Sequence, residues 1–217
     1  MTKLEYMEEI LDKFEDELEF TDRQIFTEIW FNPRKVLSFI HRHQYDKYVF
    51  ILFILVGVTA ALDGAVESSA EESIGLWMVM LYMVAGVLLV IVAYYINAAL
   101  LMWTGRWLGG KADIASLVRI LAYSAVPVIV GSLLLIPKLL ATQTDLFWLN
   151  DDASMVTFFT GIALLQGLFS LHSMILNVIG ISEIQGFSIM TAIVNLILAV
   201  FVLVIPMVLI ILLFVAS

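Results

Sequence analysis

The sequence predicts an all-helical, multi-pass membrane protein with five spans, and three observations support this fold class. Of 217 residues, 62% are hydrophobic and 14% are charged, whereas soluble domains average about 45–50% and about 25%. The mean hydropathy of +1.00 exceeds what a soluble core can bury, so lipid must be the solvent for most of the chain. Five apolar runs are long enough to cross the bilayer as helices, at about residues 48–66, 74–103, 114–140, 154–179 and 187–216.

The acidic composition and the missing motifs exclude several classes of protein. A net charge of −9 argues against binding to nucleic acid and against a polybasic lipid anchor. The chain has no cysteine, which excludes disulfides and thiol catalysis. It also lacks the HExxH, GxSxG and GxxxxGK[ST] motifs, so we expect neither an enzyme nor a cofactor. His41 and His43 are two residues apart and would diverge on a helix, so we predict no metal site.

Lysine and arginine predict the orientation of the spans. Ten of the eleven basic residues fall on one side of the membrane, either before the first span or from the end of the second span to the cytosolic start of the third: Lys3, Lys13, Arg23, Arg34, Lys35, Arg42, Lys47, Arg106, Lys111 and Arg119. Positive charge accumulates on the cytosolic side, so residues 1–46 should form a cytosolic segment. Residues 47–217 should form the membrane domain, with Ser217 outside.

The start of the chain has the pattern of an acidic amphipathic helix. Leu4, Met7, Leu11, Phe14 and Leu18 are spaced three and four apart and would share one face, opposite a face rich in Glu and Asp. Two heptads are too few for an independent coiled coil. We favour packing within the chain over a contact between two copies or with a cytosolic partner.

A second cytosolic helix should begin at Pro33. Proline disfavours helix at the residue before it and is well placed at the first helical position. The following residues alternate apolar positions with Arg34, Lys35 and Arg42. We therefore expect an interfacial helix with its apolar face towards acyl chains, its basic residues among headgroups, and Trp30 at the membrane surface.

Polar residues of the spans and of the fourth connection collect in the cytosolic half. Asn97, Arg119, Asn177 and Asn195 lie within spans, and Glu183 lies in the predicted connection from Gly180 to Gly186. Such residues are candidates for function because burying them in lipid is costly. Arg119 and Glu183 are expected to pair. The set is interpreted either as a pocket for a headgroup, small ligand or ion, or as hydrogen bonding between helices, and the second interpretation is favoured.

A histidine, two prolines and a pair of glycines in or near the spans are each interpreted from their immediate sequence. His172 lies within the fourth span and is expected to be neutral and hydrogen-bonded rather than a proton relay, because no ionisable neighbour is evident at its depth. Pro127 and Pro206 each remove a helical hydrogen bond and predict kinks. Gly105 and Gly109 have small-xxx-small spacing but are assigned to a loop, where close helix packing would not apply.

Three blocks of sequence resemble the Yip domain family of Rab-interacting membrane proteins. The blocks are IWFNPRKVLSFI, GRWLGGKADIASLVRILAYSAVPVIVG and GISEIQGFSIMTAI. The matching residues are Trp30, Pro33, Gly109, Gly110, Tyr123, Pro127, Glu183 and Gly186. The resemblance implies a five-span bundle with a cytosolic N-terminus. Eukaryotic relatives are tied to vesicle traffic and small GTPases. With its short acidic N-terminal helix the chain looks like the bacterial members, which implies the inner membrane.

The sequence therefore predicts a non-enzymatic membrane scaffold or partner-binding protein, with a role in membrane organisation or trafficking. The alternatives are a small channel or transporter, or a binder of lipid or a small ligand through the polar pocket. A conduit needs polar residues at successive depths, and the outer halves of the spans offer few beyond Thr59, Ser132, Thr157 and Thr160. The expected partners are the lipid bilayer, a second copy of the chain and a cytosolic protein that contacts residues 1–46.

Overall fold

The computed structural model describes residues 20–68, 76–137 and 152–216, and its regular elements there are helices. Eight helices are numbered here in chain order: α1 Asp22–Glu28, α2 Pro33–Arg42, α3 Val49–Ser68, α4 Leu76–Trp107, α5 Ile114–Ser124, α6 Val126–Ser132, α7 Asp152–Gln185 and α8 Ile189–Ala216. The all-helical prediction is confirmed for these residues. The predicted amphipathic helix of the first 18 residues lies outside the described residues, as does most of the first and third connections.

Four helical stretches are long and apolar enough to cross a membrane. They are Met80–Trp107, Ile114–Pro137, Val156–Gln185 and Ile189–Phe214, and they lie within or close to the second to fifth predicted spans. α3 covers the first predicted span, but its apolar stretch, Val49–Ala61, is shorter than a span. Four candidate spans are therefore established in the described part of the chain.

Proline breaks the third predicted span into two helices. α5 ends at Ser124 and α6 begins at Val126, so Pro127 takes the second position of the new helix. A proline has no amide hydrogen and its ring crowds the preceding turn, which explains a break just upstream. Pro206 instead lies inside α8, which continues through it.

Two helices continue beyond the ends that hydropathy predicted, and both extensions lie at the same end of the bundle. α7 continues to Gln185, so the prediction of a connection from Gly180 was wrong, and Gly186, with φ +71°, makes the turn into α8. α4 likewise continues to Trp107 and places Gly105 in a helix rather than a loop. Hydropathy falls at the polar residues of these segments, but the fold buries several of them with hydrogen bonds.

Residues 20–48, which comprise α1, α2 and the linker to α3, pack as an N-terminal cap on one end of the bundle. Val36, Leu37 and Ile40 of α2 are fully buried, and α2 contacts α7 and α5. The expectation that this apolar face meets acyl chains is therefore wrong, because the bundle itself covers it. α2 does begin at Pro33, as predicted.

The core lies at the cap end of the molecule. It joins cap residues such as Ile25 and Ile40 to Leu101, Ile120 and Leu176 of the long helices. Towards the other end the apolar side chains of α4, α7 and α8 are mostly exposed, as expected of surfaces that meet lipid. The cap end is thus where polar side chains can be held in fixed positions.

Candidate functional site

The buried guanidinium of Arg119 pairs with the linker between α2 and α3. Arg119, on α5, is only 8% exposed, and its Nε lies 2.5 Å from Oδ1 of Asp46. The predicted pairing of Arg119 with Glu183 is wrong. Asp46 lies in the linker before α3 and contacts Arg119 in the middle of α5, whereas Glu183 contacts α2. This ion pair fastens the linker to the bundle.

Glu183 fastens α2 to the last turn of α7. It accepts a hydrogen bond of 2.6 Å from the hydroxyl of Ser38, and its other carboxylate oxygen lies 3.4 Å from Nε of Arg34. The Arg34 side chain is 63% exposed and that of Glu183 is 30% exposed, so solvent screens the ion pair, and the hydrogen bond from Ser38 is the less exposed contact. The contact holds α2 at the bundle's surface with its basic residues turned outward.

Asp22 holds α1 to the linker. Its carboxylate accepts hydrogen bonds from Tyr45, from Nζ of Lys47 at 2.5 Å and from the hydroxyl of Tyr48 at 2.6 Å. The hydrogen bond from Lys47, followed by those from the tyrosines, holds the pKa of Asp22 well below its usual range. Burial and the contact with Asp22 raise the pKa of Tyr45 to about 12. The cap is therefore tied together internally as well as to the bundle.

Asn195 joins α8 to α4. It is fully buried, accepts a hydrogen bond of 2.7 Å from Thr104 and donates one of 3.2 Å to the carbonyl of Leu101. Asn97, in contrast, is exposed on α4, and Asn177 is half-buried on α7. Oδ1 of Asn177 has no hydrogen-bond partner among the described residues. The five predicted polar residues thus share the cap end but do not form one cluster.

Gln185 is a residue that the sequence reasoning missed. It is 2% exposed; its Oε1 accepts a hydrogen bond of 3.1 Å from the amide of Ala112, and its Nε2 donates one of 3.2 Å to the carbonyl of Leu101. A Cβ at Gly105 or Gly110 would lie 2.2 Å from its amide atoms. A side chain at either position would therefore displace the Gln185 amide from its hydrogen bonds, so Gly105 has a packing role, contrary to its interpretation as a loop residue. The sequence did contain a signal for this contact. Gln185 is a second polar residue two positions after Glu183, and the small residues Gly109 and Gly110 follow Trp107.

Other residues that carry the resemblance, including Trp30, Tyr123 and Gly109, also lie at the cap end of the bundle. Trp30 stacks on His172, with ring centroids 5.2 Å apart and an interplanar angle of 15°, so the indole lies against α7. Nε2 of His172 has no hydrogen-bond partner within the described residues; its expected hydrogen bond is not seen there. Tyr123 is fully buried, and Gly109, with φ +85°, turns the chain after α4.

A basic cleft opens between α2 and the end of α7. It has a volume of about 270 Å³, close to the small end of the range for ligand pockets. Three arginine or lysine side chains and one histidine face a single carboxylate in its lining. The lining residues are Phe20, Arg34, Lys35, Ser38, Phe39, Arg42, His43 and Glu183. This arrangement can attract an anion of about the size of a phosphate group.

Comparison with known proteins identifies a family. The Yip1 domain matches residues 27–211, a range that includes most of the cap, three of the four candidate spans and all but the last three residues of the fourth. No curated protein and no solved structure matches the chain. The match covers most of the chain and agrees with its apolar helices, so this multi-pass membrane protein belongs to the Yip1 domain family.

Proposed function

We propose that this protein is a non-enzymatic membrane scaffold that binds anionic lipid headgroups of its own membrane in the basic cleft. The observation that carries the proposal is the lining of the cleft, where Arg34, Lys35 and Arg42 outnumber the one carboxylate, Glu183. A planar guanidinium matches the oxygens of a phosphate, and a lysine adds a point charge. Such a site suits a phosphodiester headgroup.

The level of the cleft supports a lipid ligand. Glu183 lies two residues before the end of α7, and α4 ends and α5 and α8 begin at the same end of the bundle. The shared end of several apolar helices marks the boundary of the hydrocarbon core. Trp103 and Trp107 are exposed at the end of α4, as expected of aromatic residues at a membrane interface. The cleft would therefore face the headgroup layer.

The proposed topology places this layer on the cytosolic side. The concentration of lysine and arginine at the cap end supports a cytosolic N-terminus, and α3 would complete a five-span bundle with the C-terminus outside. In a bacterial inner membrane the anionic headgroup would be phosphatidylglycerol or a related lipid. The cap, held to the bundle by Asp46 and Glu183, would offer a fixed surface to partners.

Lipid retention by native mass spectrometry tests the proposal. The protein is placed in nanodiscs of equal phosphatidylcholine and phosphatidylglycerol, extracted gently, and the retained lipids are counted. We expect phosphatidylglycerol to be enriched in the native chain. At about 1 kcal/mol per basic residue near the surface, a Lys35→Gln/Arg42→Gln variant should bind this lipid about 30-fold more weakly.

The matched control removes two charges outside the cleft. Arg23→Gln/Arg106→Gln changes the net charge equally, at exposed residues that do not line the cleft. It should retain phosphatidylglycerol as the native chain does. Equal loss in both variants would mean that only overall charge matters, and no enrichment in the native chain would refute the proposal.

A second candidate function, passage of a small polar solute, is favoured by a different cavity. A cavity of about 250 Å³ lies between α3, α6 and α7, and its polar lining residues are Thr59, Ser132, Gln166 and Ser170. Polar side chains are costly within spans and often mark pathways. Uptake of labelled glycerol or water into proteoliposomes tests it: a Gln166→Leu variant should abolish uptake if the cavity conducts. Native uptake no faster than that of empty vesicles would exclude conduction.

A further inference from the structure

The lining of the basic cleft contains a carboxylate as well as cations. Glu183 lies between α2 and the end of α7. Its Oε1 accepts the 2.6 Å hydrogen bond from Ser38, and its Oε2 lies 3.4 Å from Nε of Arg34. A carboxylate offers about four acceptor positions on its two oxygens. These two contacts therefore leave room for a ligand to donate further hydrogen bonds to Glu183.

We propose that Glu183 accepts a hydrogen bond from a hydroxyl group of the bound headgroup and so selects among anionic phosphodiesters. The proposal rests on the proposed function of the cleft, in which the cations bind the phosphate. Charge alone does not distinguish one phosphodiester from another, because each carries the same charge. The ligand class is then a phosphodiester that bears a free hydroxyl, such as the glycerol headgroup of phosphatidylglycerol.

The spacing of residues along α2 places this carboxylate near the cations that would bind the phosphate. Ser38, which donates to Glu183, lies between Lys35 and Arg42 on α2. Three or four residues of helix correspond to about 5–6 Å at about 1.5 Å per residue. A glycerol headgroup joins its phosphorus to its terminal hydroxyl through a chain of about five bonds, each about 1.5 Å long. With its phosphate at either cation, the headgroup can therefore reach Glu183.

The surroundings of Glu183 favour such a hydrogen bond. Phe20 and Phe39 also line the cleft, with ring centroids 5.3 Å apart, and their apolar rings limit the access of water. The Glu183 side chain is 30% exposed. Hydrogen bonds are stronger where the local dielectric is below that of water, and an ionised acceptor makes them roughly twice as strong. Glu183 can thus confer selectivity although it lowers the positive charge of the cleft.

Competition between two lipids of equal charge tests this selectivity. Phosphatidylpropanol has the same phosphodiester and a three-carbon headgroup, but it lacks the hydroxyls of phosphatidylglycerol. The native chain is placed in phosphatidylcholine nanodiscs that contain both lipids in equal amounts, and native mass spectrometry measures the retained ratio. A hydrogen bond to a charged group changes affinity by at least about tenfold. Because Glu183 is partly exposed, we expect the lower end of that range, a ratio of about 10 in favour of phosphatidylglycerol.

Two substitutions of Glu183 should change the ratio without removing the cations. Glu183→Leu removes both acceptor oxygens, so the ratio should fall to unity while the two anionic lipids together stay enriched over phosphatidylcholine. Glu183→Gln keeps the shape of the side chain and a neutral acceptor. Since neutral hydrogen bonds are roughly half as strong, its ratio should be about 3, and it provides the test if the leucine variant folds poorly. A ratio as high as the native one in both variants would overturn the proposal.

A control separates recognition of the headgroup from the structural role of Glu183, which also holds α2 to α7. Asp22→Asn weakens a different contact of the cap, with Tyr48 and Lys47, and Asp22 lies outside the lining of the cleft. This variant should loosen the cap, as hydrogen exchange would show, and keep the native ratio. If it lowered the ratio as much as Glu183→Leu does, loosened packing would explain the loss and the proposal would fail.

The outcomes distinguish this proposal from the headgroup function. No enrichment of either anionic lipid over phosphatidylcholine would refute both. Equal enrichment of phosphatidylglycerol and phosphatidylpropanol in the native chain would leave the cleft as a phosphate site and refute the role of Glu183 alone. Phosphatidylethanolamine is a further competitor, because its ammonium group can also bind a carboxylate. Its displacement of phosphatidylglycerol at equal amounts would overturn the assignment to a hydroxyl, and retention of phosphatidylglycerol would support it.

Discussion

Substitution of Gly105 by alanine should destabilise the protein, although alanine is the better helix former. Gly105 lies inside α4, where replacing glycine by alanine ordinarily stabilises a helix by about 1 kcal/mol. Here the new Cβ would lie 2.2 Å from Nε2 of Gln185. Gln185 must then move, and its hydrogen bonds to Ala112 and Leu101 are broken.

The expected magnitude follows from these contacts. The two hydrogen bonds contribute about 1 kcal/mol each, and overpacking costs about 1–3 kcal/mol. After subtracting the gain in helix propensity, the net loss is about 2–4 kcal/mol. For a chain of this length each kcal/mol lowers the midpoint by about 2–4 °C, so the melting temperature in mild detergent should fall by roughly 5–15 °C.

Thermal unfolding followed by tryptophan fluorescence measures this change. Gly161→Ala is the matched control: it also lies in a helix, α7, but a Cβ there meets nothing within 4 Å, so it should leave the midpoint unchanged or raise it. Adding Gln185→Ala to Gly105→Ala removes the clash, and the double variant should be no less stable than Gln185→Ala alone. Additive losses, or a stable Gly105→Ala protein, would refute the packing argument.

Three further predictions concern the contacts that hold the cap and bundle. Since the folded-state pKa of Asp22 is lowered, its contribution to cap docking is complete above the unfolded pKa of about 3.9 and is lost as pH falls from there through the lowered folded-state pKa. Measured relative to the intrinsic exchange rate at each pH, the hydrogen-exchange protection of residues 20–48 should therefore fall in acid, and Asp22→Asn should show the lower protection already at neutral pH. Arg119→Met should increase exchange in the linker around Asp46, whereas Arg106→Met should not. Asn195→Leu should lower the melting temperature by several degrees, because the hydrogen bonds that Asn195 makes to Thr104 and to the carbonyl of Leu101 are lost. The hydroxyl of Thr104 keeps the carbonyl of Leu100 as an acceptor within α4, so unchanged melting would show that the hydrogen bonds between α8 and α4 do not contribute to stability.

Local signals in the sequence predicted the breaks in the chain. Pro33 begins α2, Pro127 follows the break between α5 and α6, and Gly186 turns the chain with a positive φ. Proline restricts its own φ angle and glycine allows positive φ angles that other residues avoid. These effects are local, so they do not depend on the rest of the fold. The composition similarly predicted apolar helices because lipid demands them.

Tertiary contacts were harder to predict because they join distant residues. Arg119 pairs with Asp46, 73 residues away, and composition alone does not distinguish Asp46 from Glu183 as its partner. The apolar face of α2 has the same pattern whether lipid or protein covers it. α7 was predicted too short because hydropathy registers the polarity of Gln185 but not the hydrogen bonds that satisfy it.

The outer part of α8 has a mechanical consequence. Pro206 interrupts its hydrogen-bond ladder, and the large apolar side chains that follow, such as Leu209, Leu213 and Phe214, are exposed. With a missing backbone bond at its base and large side chains that are exposed among the described residues, this part of the helix should swivel at low energetic cost. It can thereby match its tilt to membranes of different hydrophobic thickness. The same molecule can then reside in a thin or a thick bilayer without disturbing the packed cap end.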